Sequence, residues 1–144
     1  MQSVNPRPEP PEGPFLVAGL GISGVAAART LIASGELVRA TDSGAPQTAE
    51  VLPSANIEPL LESDGVELLD GTRTVVKSPG VPQTAPLVTA ARERGITVIG
   101  DLELAWRRLP NWTLAVTGTN GKTTTTELLG HIYRTASLPV EVAG

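Results

Sequence analysis

Twice in this chain a short apolar run ends in a glycine-rich turn and passes into a helix-like segment. That order favours a parallel sheet flanked by helices over most other folds. The first instance runs from Phe15–Ala18 through Gly19-Leu20-Gly21-Ile22-Ser23-Gly24 into an Ala/Leu/Ile-rich stretch ending at Ala33. The second runs from Trp112-Thr113-Leu114-Ala115-Val116 through Thr117-Gly118-Thr119-Asn120-Gly121-Lys122-Thr123-Thr124 into a segment ending at Thr135. Glycines let backbone N–H groups approach phosphate oxygens with no Cβ in the way. The helix that follows adds free donors and partial positive charge. In the second turn, Lys122 can reach the β/γ-phosphates of a nucleoside triphosphate, and the Thr123 hydroxyl can ligate Mg²⁺. This phosphate loop is a shortened one, because Val116 stands where the general pattern has its first glycine. The competing reading is a polar turn that merely caps a helix.

Strand and helix signals alternate between the two turns. Strands are expected at Phe15–Ala18, Glu36–Thr41, Val66–Leu69, Thr74–Lys77 and Ile96–Ile99. Helices are expected at Gly24–Ala33, 56–63, Ala85–Arg94 with Gly95 as its stop, and Asp101–Arg108 with Asp101 as N-cap. This predicts an α/β fold, a Rossmann-like five-stranded parallel sheet with flanking helices. Near Leu109-Pro110-Asn111 the pattern restarts. The expected organisation is a disordered, proline-rich tail at 1–13, a first domain at 14–110, and the strand, phosphate loop and helix of a truncated second domain at 111–144. A last strand is expected to begin at Val140-Glu141-Val142. Because the 112–117 strand lacks partners, residues 111–144 are expected to be mobile, to dock on the first domain, or to self-associate.

Bulk properties narrow the function classes. Hydrophobic residues make up 40% and charged residues 18%, which suits a folded domain. Aromatics are only 3%, so the core must be aliphatic. No apolar run approaches the ~20 residues that cross a bilayer, and no signal-peptide pattern opens the chain, so the cytoplasm is the expected location. The absence of cysteine excludes disulfides and thiolate metal sites. A net charge of -4 without a Lys/Arg cluster argues against nucleic acid. Phosphate binding survives this balance, since backbone dipoles rather than net charge do the work.

The full G-x-G-x-x-G at Gly19–Gly24, with Asp42 closing the second strand, is the pattern of a diphosphate-containing ligand. A dinucleotide such as NAD is one such ligand, and a tight turn without any ligand is the alternative. Ser78-Pro79-Gly80-Val81-Pro82 follows a strand, so it lies at the sheet edge where ligands sit in open α/β folds, unless it is only a rigid turn. His131 and Glu127, on the helix after the phosphate loop, read as solvated or packing residues.

Taken together, Gly19–Gly24, Ser78-Pro79-Gly80-Val81, Gly100-Asp101-Leu102-Glu103-Leu104 and Thr117–Thr124 resemble the Mur ligases, ATP-dependent amino-acid ligases of peptidoglycan precursor synthesis. The resemblance spans residues 15–144, and the first-domain motifs select the D-glutamate-adding branch. It implies UDP-N-acetylmuramoyl-L-alanine, D-glutamate, ATP and Mg²⁺ as ligands, with an acyl phosphate intermediate. It implies ATP binding by Gly118, Thr119, Asn120, Gly121, Lys122, Thr123 and Thr124, with Lys122 and Thr123 catalytic and Thr123 on the metal. It implies UDP-substrate binding by Gly21, Ile22, Ser23, Gly24, Asp42, Ser43, Ser78 and Gly80. The diphosphate would meet Ile22, Ser23 and Gly24, and Asp42 would accept the uracil N–H. Some relatives place an arginine two residues after that acid, where this chain has Gly44. The chain alone is expected to be inactive, with the rest of the ligase missing. Other Mur-type or folylpolyglutamate-type ligases, an NAD(P)-binding oxidoreductase domain, and a non-catalytic UDP-sugar-binding domain are the alternatives.

Overall fold

The computed structural model describes residues 7–52 and 57–143. The chain divides after Leu109 into two compact units. In the first unit, strands β1 (Phe15–Ala18), β2 (Val38–Thr41), β3 (Thr74–Lys77) and β4 (Thr97–Gly100) form one parallel sheet in the order β2-β1-β3-β4. Helices α1 (Ile22–Ala33), α2 (Pro86–Glu93) and α3 (Asp101–Arg108) flank it. β1 and β3 are buried throughout and read as continuous apolar or β-branched runs, as central parallel strands do. Residue alternation sends Phe15, Val17, Val76 and Ile99 to the face covered by α1 and Leu104 of α3. Leu16, Ala18 and Val75 go to the other face, under Leu87 and Ala91 of α2. Each fully buried Val, Leu or Phe contributes about 1.5–3 kcal/mol.

The chain moves from β1 to one edge at β2, then returns to the far side of β1 as β3. Connections leaving β1 and β3 therefore diverge, and a crevice opens between their C-terminal ends. Close packing holds the first of those connections. Gly19 has φ +86, and a Cβ there would stand 2.7 Å from Val81 Cγ2. A Cβ on Gly24 would stand 1.8 Å from the Gly19 carbonyl oxygen, so only glycine lets α1 start this close to the turn.

The sheet has four strands where five were expected. Val66–Leu69 is a 3₁₀ turn set between Gly65 (φ +72) and Gly71 (φ +76). Leu69 is buried and Val66 and Leu68 pack against the same cluster as α2, which an extended strand with alternating faces could not arrange. The helix expected over 56–63 is absent from 57–63, and residue 56 lies outside the described residues. Instead Leu60 bridges Thr41 in parallel, extending the β2 edge, and Asp42 N–H donates to the Leu60 carbonyl at 3.1 Å. Gln47–Val51, not anticipated, is a 3₁₀ turn. The N-cap of α3 is Gly100, not Asp101, whose carboxylate Oδ1 accepts from Leu102 N–H at 2.7 Å. Gly95, with φ +72, follows the end of α2 as expected.

Residues 7–13, placed in a disordered tail by the sequence, contact the first unit; residues 1–6 lie outside the described residues. The buried Thr74 hydroxyl donates to the Glu12 carbonyl at 2.8 Å, Arg73 pairs with the Glu12 carboxylate at 2.7 Å, and the Arg7 guanidinium stands 5.8 Å from the Trp106 ring. Polar anchors of this kind do not register in a composition argument.

The second unit contains helix α4 (Lys122–Thr135). No strand forms at 112–117 or at 140–142. A parallel strand needs a neighbouring ladder, and residues 110–143 supply no second strand among those described. Trp112 and Leu114 are accordingly exposed. Val142 packs over α4 at Gly130, where a Cβ would stand 2.5 Å from Val142 Cγ2.

Candidate functional site

A cleft of about 660 Å³ occupies the crevice at the C-terminal ends of β1 and β3. Gly21, Ile22 and Ser23 from the first turn, Asp42 and Ser43 from the end of β2, and Ser78 and Gly80 from the loop after β3 all line it. Of the eight residues expected to meet a UDP-bearing substrate, Gly24 alone is not in the lining. It is buried behind the turn, where it makes the close packing described above.

The start of α1 has the character of an anion site. Gly21 is its N-cap with extended backbone (φ −65, ψ −174), and no side chain caps the helix. No acidic residue occupies the first helical turn. The orphan N–H groups and positive end of the helix dipole thus face the cleft without an internal partner. The lining contains no Lys or Arg, so attraction for an anion must come from amides.

Asp42 holds the turn in place. Its Oδ2 accepts the Leu20 N–H at 2.6 Å and its Oδ1 accepts the Gly44 N–H at 2.8 Å. The Ser78 hydroxyl, nearly buried, donates to the Gly19 carbonyl at 2.7 Å. Both residues, expected to touch ligand, also tie the glycine-rich turn to β2 and β3. Each oxygen of Asp42 retains a lone pair for an incoming donor.

Two further groups escaped the sequence reading. Ser63 and Asp64 line the β2 side of the cleft. They precede Gly65, and Ser-Asp-Gly is a turn signal that starts at the last residue of the segment expected to be helical at 56–63. Lys77 ends β3 and is buried, its ammonium donating to the Ser78 carbonyl at 3.3 Å. Pro79, Val81, Pro82, Pro86 and Leu87 give the opposite wall its apolar surface.

In the second unit, Gly118 to Gly121 form an exposed loop leading into the first residues of α4, Lys122 to Thr124. Gly121 caps the helix in the left-handed region (φ +75), and no side chain caps α4 either. Lys122 folds back so that Nζ donates to the Gly118 carbonyl at 2.5 Å, curling its side chain over the loop it would share with a phosphate. Thr123, the second residue of α4, is exposed, as are Thr119, Asn120 and Thr124. Glu127 and His131 are exposed on α4. Among the described residues, no three His, Asp or Glu side chains gather where they could hold a metal. No helix among those residues is long and apolar enough to cross a membrane.

Residues 14–100 match a family model described as Mur ligase MurD-like, N-terminal domain, and residues 116–144 match the Mur ligase middle domain. A curated relative from Frankia casuarinae, named UDP-N-acetylmuramoylalanine--D-glutamate ligase, is 51% identical over 126 residues, covering 81% of this chain and 26% of that protein. One of the same name from Exiguobacterium sibiricum is 43% identical over 131 residues, covering 90% of this chain and 29% of its own length. The chain thus spans a little over a quarter of these relatives. Among solved structures, UDP-N-acetylmuramate-alanine ligase MurC from Thermotoga maritima superposes with TM-score 0.60 at 24% identity, over 85% of this chain and 29% of that one. That likeness concerns the fold.

Proposed function

Since this chain belongs to the Mur ligase family, with a MurD-like N-terminal domain followed by the opening of the middle domain, we propose that it carries the nucleotide-substrate domain of a UDP-N-acetylmuramoyl-L-alanine:D-glutamate ligase. The cleft between β1 and β3 takes the UDP portion of UDP-N-acetylmuramoyl-L-alanine. The loop at Gly118–Thr124 takes the phosphates of ATP. The observation that carries this reading is the uncapped, cation-free start of α1 opening into a crevice at the switch point of the sheet.

In this reading the diphosphate rests on the amides at Gly21, Ile22 and Ser23, with the Ser23 hydroxyl as a further donor. Asp42 accepts the uracil N3–H with a lone pair not used by Leu20 or Gly44, and Ser43 adds a hydrogen bond. Gly80 lets substrate pass close to the backbone, since nothing stands within 4 Å of where its Cβ would be. In the whole ligase, the γ-phosphoryl group of ATP passes to the L-alanine carboxylate, forming an acyl phosphate and ADP. The D-glutamate amine then attacks the acyl carbon, an amide forms, and inorganic phosphate leaves. Loop amides and Lys122 neutralise the charge on the transferring phosphoryl group. Mg²⁺ would bring further neutralisation. The donor set fits an ion held chiefly by phosphate oxygens with the Thr123 hydroxyl, not an all-protein cage. The family chemistry belongs to a cytoplasmic step of peptidoglycan precursor synthesis.

A ligand panel tests the reading. Thermal melting with UDP-N-acetylmuramoyl-L-alanine is expected to raise the midpoint of the first unit, and NAD to leave it unchanged. Stabilisation by NAD without any response to the UDP ligand would sink the assignment and favour a dinucleotide-binding domain.

A further inference from the structure

We infer that Thr48, which lies outside the cleft lining, positions the diphosphate-binding turn by fixing the peptide between Leu20 and Gly21. Thr48 sits in the 3₁₀ turn Gln47–Val51, anchored through the neighbouring buried Ala49 to the core beneath α1. Its hydroxyl donates to the Leu20 carbonyl. A trans peptide is planar, with C=O and N–H pointing in opposite directions. Holding the Leu20 oxygen toward Thr48 therefore turns the Gly21 N–H away from Thr48. The other side of that peptide is the cleft: Gly21 lines it, while Thr48 and the fully buried Leu20 do not.

The preceding peptide is held in the same manner. The Gly19 carbonyl accepts from Ser78 Oγ at 2.7 Å, and the Leu20 N–H donates to Asp42 at 2.6 Å. Two successive carbonyls, which would repel a diphosphate if they faced it, are each held by a hydroxyl. Ser78 and Asp42 also line the cleft, so their substitution mixes ligand contact with loop geometry. Thr48 separates the two effects. A carbonyl left without its hydroxyl can rotate toward the cleft, which replaces a donor with an acceptor where the anion sits. Thr48 is thus a positioning residue, acting through the Gly21 amide.

This inference rests on the cleft binding a nucleoside diphosphate, and the test keeps the two apart. UDP and uridine are titrated against the full chain by NMR in the wild type, Thr48→Val and Thr48→Ser. Wild type is expected to bind UDP, with the Gly21 amide resonance responding to UDP and not to uridine. Thr48→Val, which keeps shape and loses the hydroxyl, is expected to weaken UDP binding about tenfold and leave uridine binding unchanged. Thr48→Ser is expected to restore UDP binding. A wild type that ignores UDP defeats the reading of the cleft. A wild type that binds UDP while Thr48→Val binds it equally well, or loses UDP and uridine alike, overturns the role of Thr48. A Gly21 amide silent to UDP overturns it too, even if Thr48→Val does not fold.

Discussion

Two glycines separate packing from ligand access. At Gly24 a Cβ would stand 1.8 Å from a backbone oxygen and 2.6 Å from Ser78 Oγ, so backbone must move. Gly24→Ala is expected to cost about 1–3 kcal/mol and to lower the melting midpoint by roughly 5–20 °C. At Gly80 nothing lies within 4 Å of the added atom, and the residue lines the cleft. Gly80→Ala is expected to leave stability within about 0.5 kcal/mol and to weaken binding of UDP-N-acetylmuramoyl-L-alanine. Calorimetric melting together with a binding titration checks both, and equal behaviour of the two variants would contradict the assignment. Asp42→Asn sets a different test. Its two oxygens face two N–H donors, and an amide group can satisfy only one of them. The other N–H would face an NH₂, an unmade bond costing about 1–3 kcal/mol. Chemical denaturation should show that loss without ligand present; a variant as stable as wild type would mean Asp42 does not hold the turn.

Elements were legible in the sequence where a single physical cause fixed them. The Gly19–Gly24 turn was readable because close helix-to-turn approach needs glycine. β1 and β3 were readable because strands buried on both faces are apolar throughout. Val66–Leu69 was not, because four apolar-rich residues suit a strand or a 3₁₀ turn equally, and the choice fell to packing against α2. The 112–117 segment looks like a strand in composition, but a strand forms only when paired, and it needed the partners whose absence the sequence already showed. Within the site, the residues on the turns after β1, β2 and β3 were visible as loop motifs, whereas Ser63 and Asp64 were not, and Thr48 was invisible, since its contact with Leu20 crosses 28 positions. The segment 7–13 shows the same limit. Its anchoring acceptor for the buried Thr74 hydroxyl is the Glu12 carbonyl. A chain starting at Gly13 is expected to lose about 1–3 kcal/mol through that orphaned hydroxyl. Adding Thr74→Val to the shortened chain should recover most of the loss, as read from denaturant midpoints. The exposed Arg73–Glu12 pair contributes less, about 0–1 kcal/mol. Equal stability of the shortened and full chains would show that this segment adds nothing to the sheet.

At the scale of the whole molecule, the two phosphate-binding candidates fall in different units, and the first unit supplies a lined cleft of its own. Among the described residues, those lining the cleft lie between Ala18 and Leu87. Both apolar clusters are built from residues between Phe15 and Leu104. The anchors of the glycine-rich turn, at positions 42, 48 and 78, are likewise internal to it. A chain ending at Leu109 is therefore expected to unfold cooperatively, as small single domains do, and to bind UDP with an affinity within about threefold of the full chain, a difference under about 1 kcal/mol. Any response to ATP–Mg²⁺ is expected to disappear with the loop at Gly118–Thr124, the segment proposed to take the triphosphate. Isothermal titration of both chains with UDP and with ATP–Mg²⁺ reads this directly. Loss of UDP binding by a shortened chain that still melts cooperatively would show that the second unit completes the cleft, and the assignment of nucleotide-substrate recognition to residues 14–109 alone would fall.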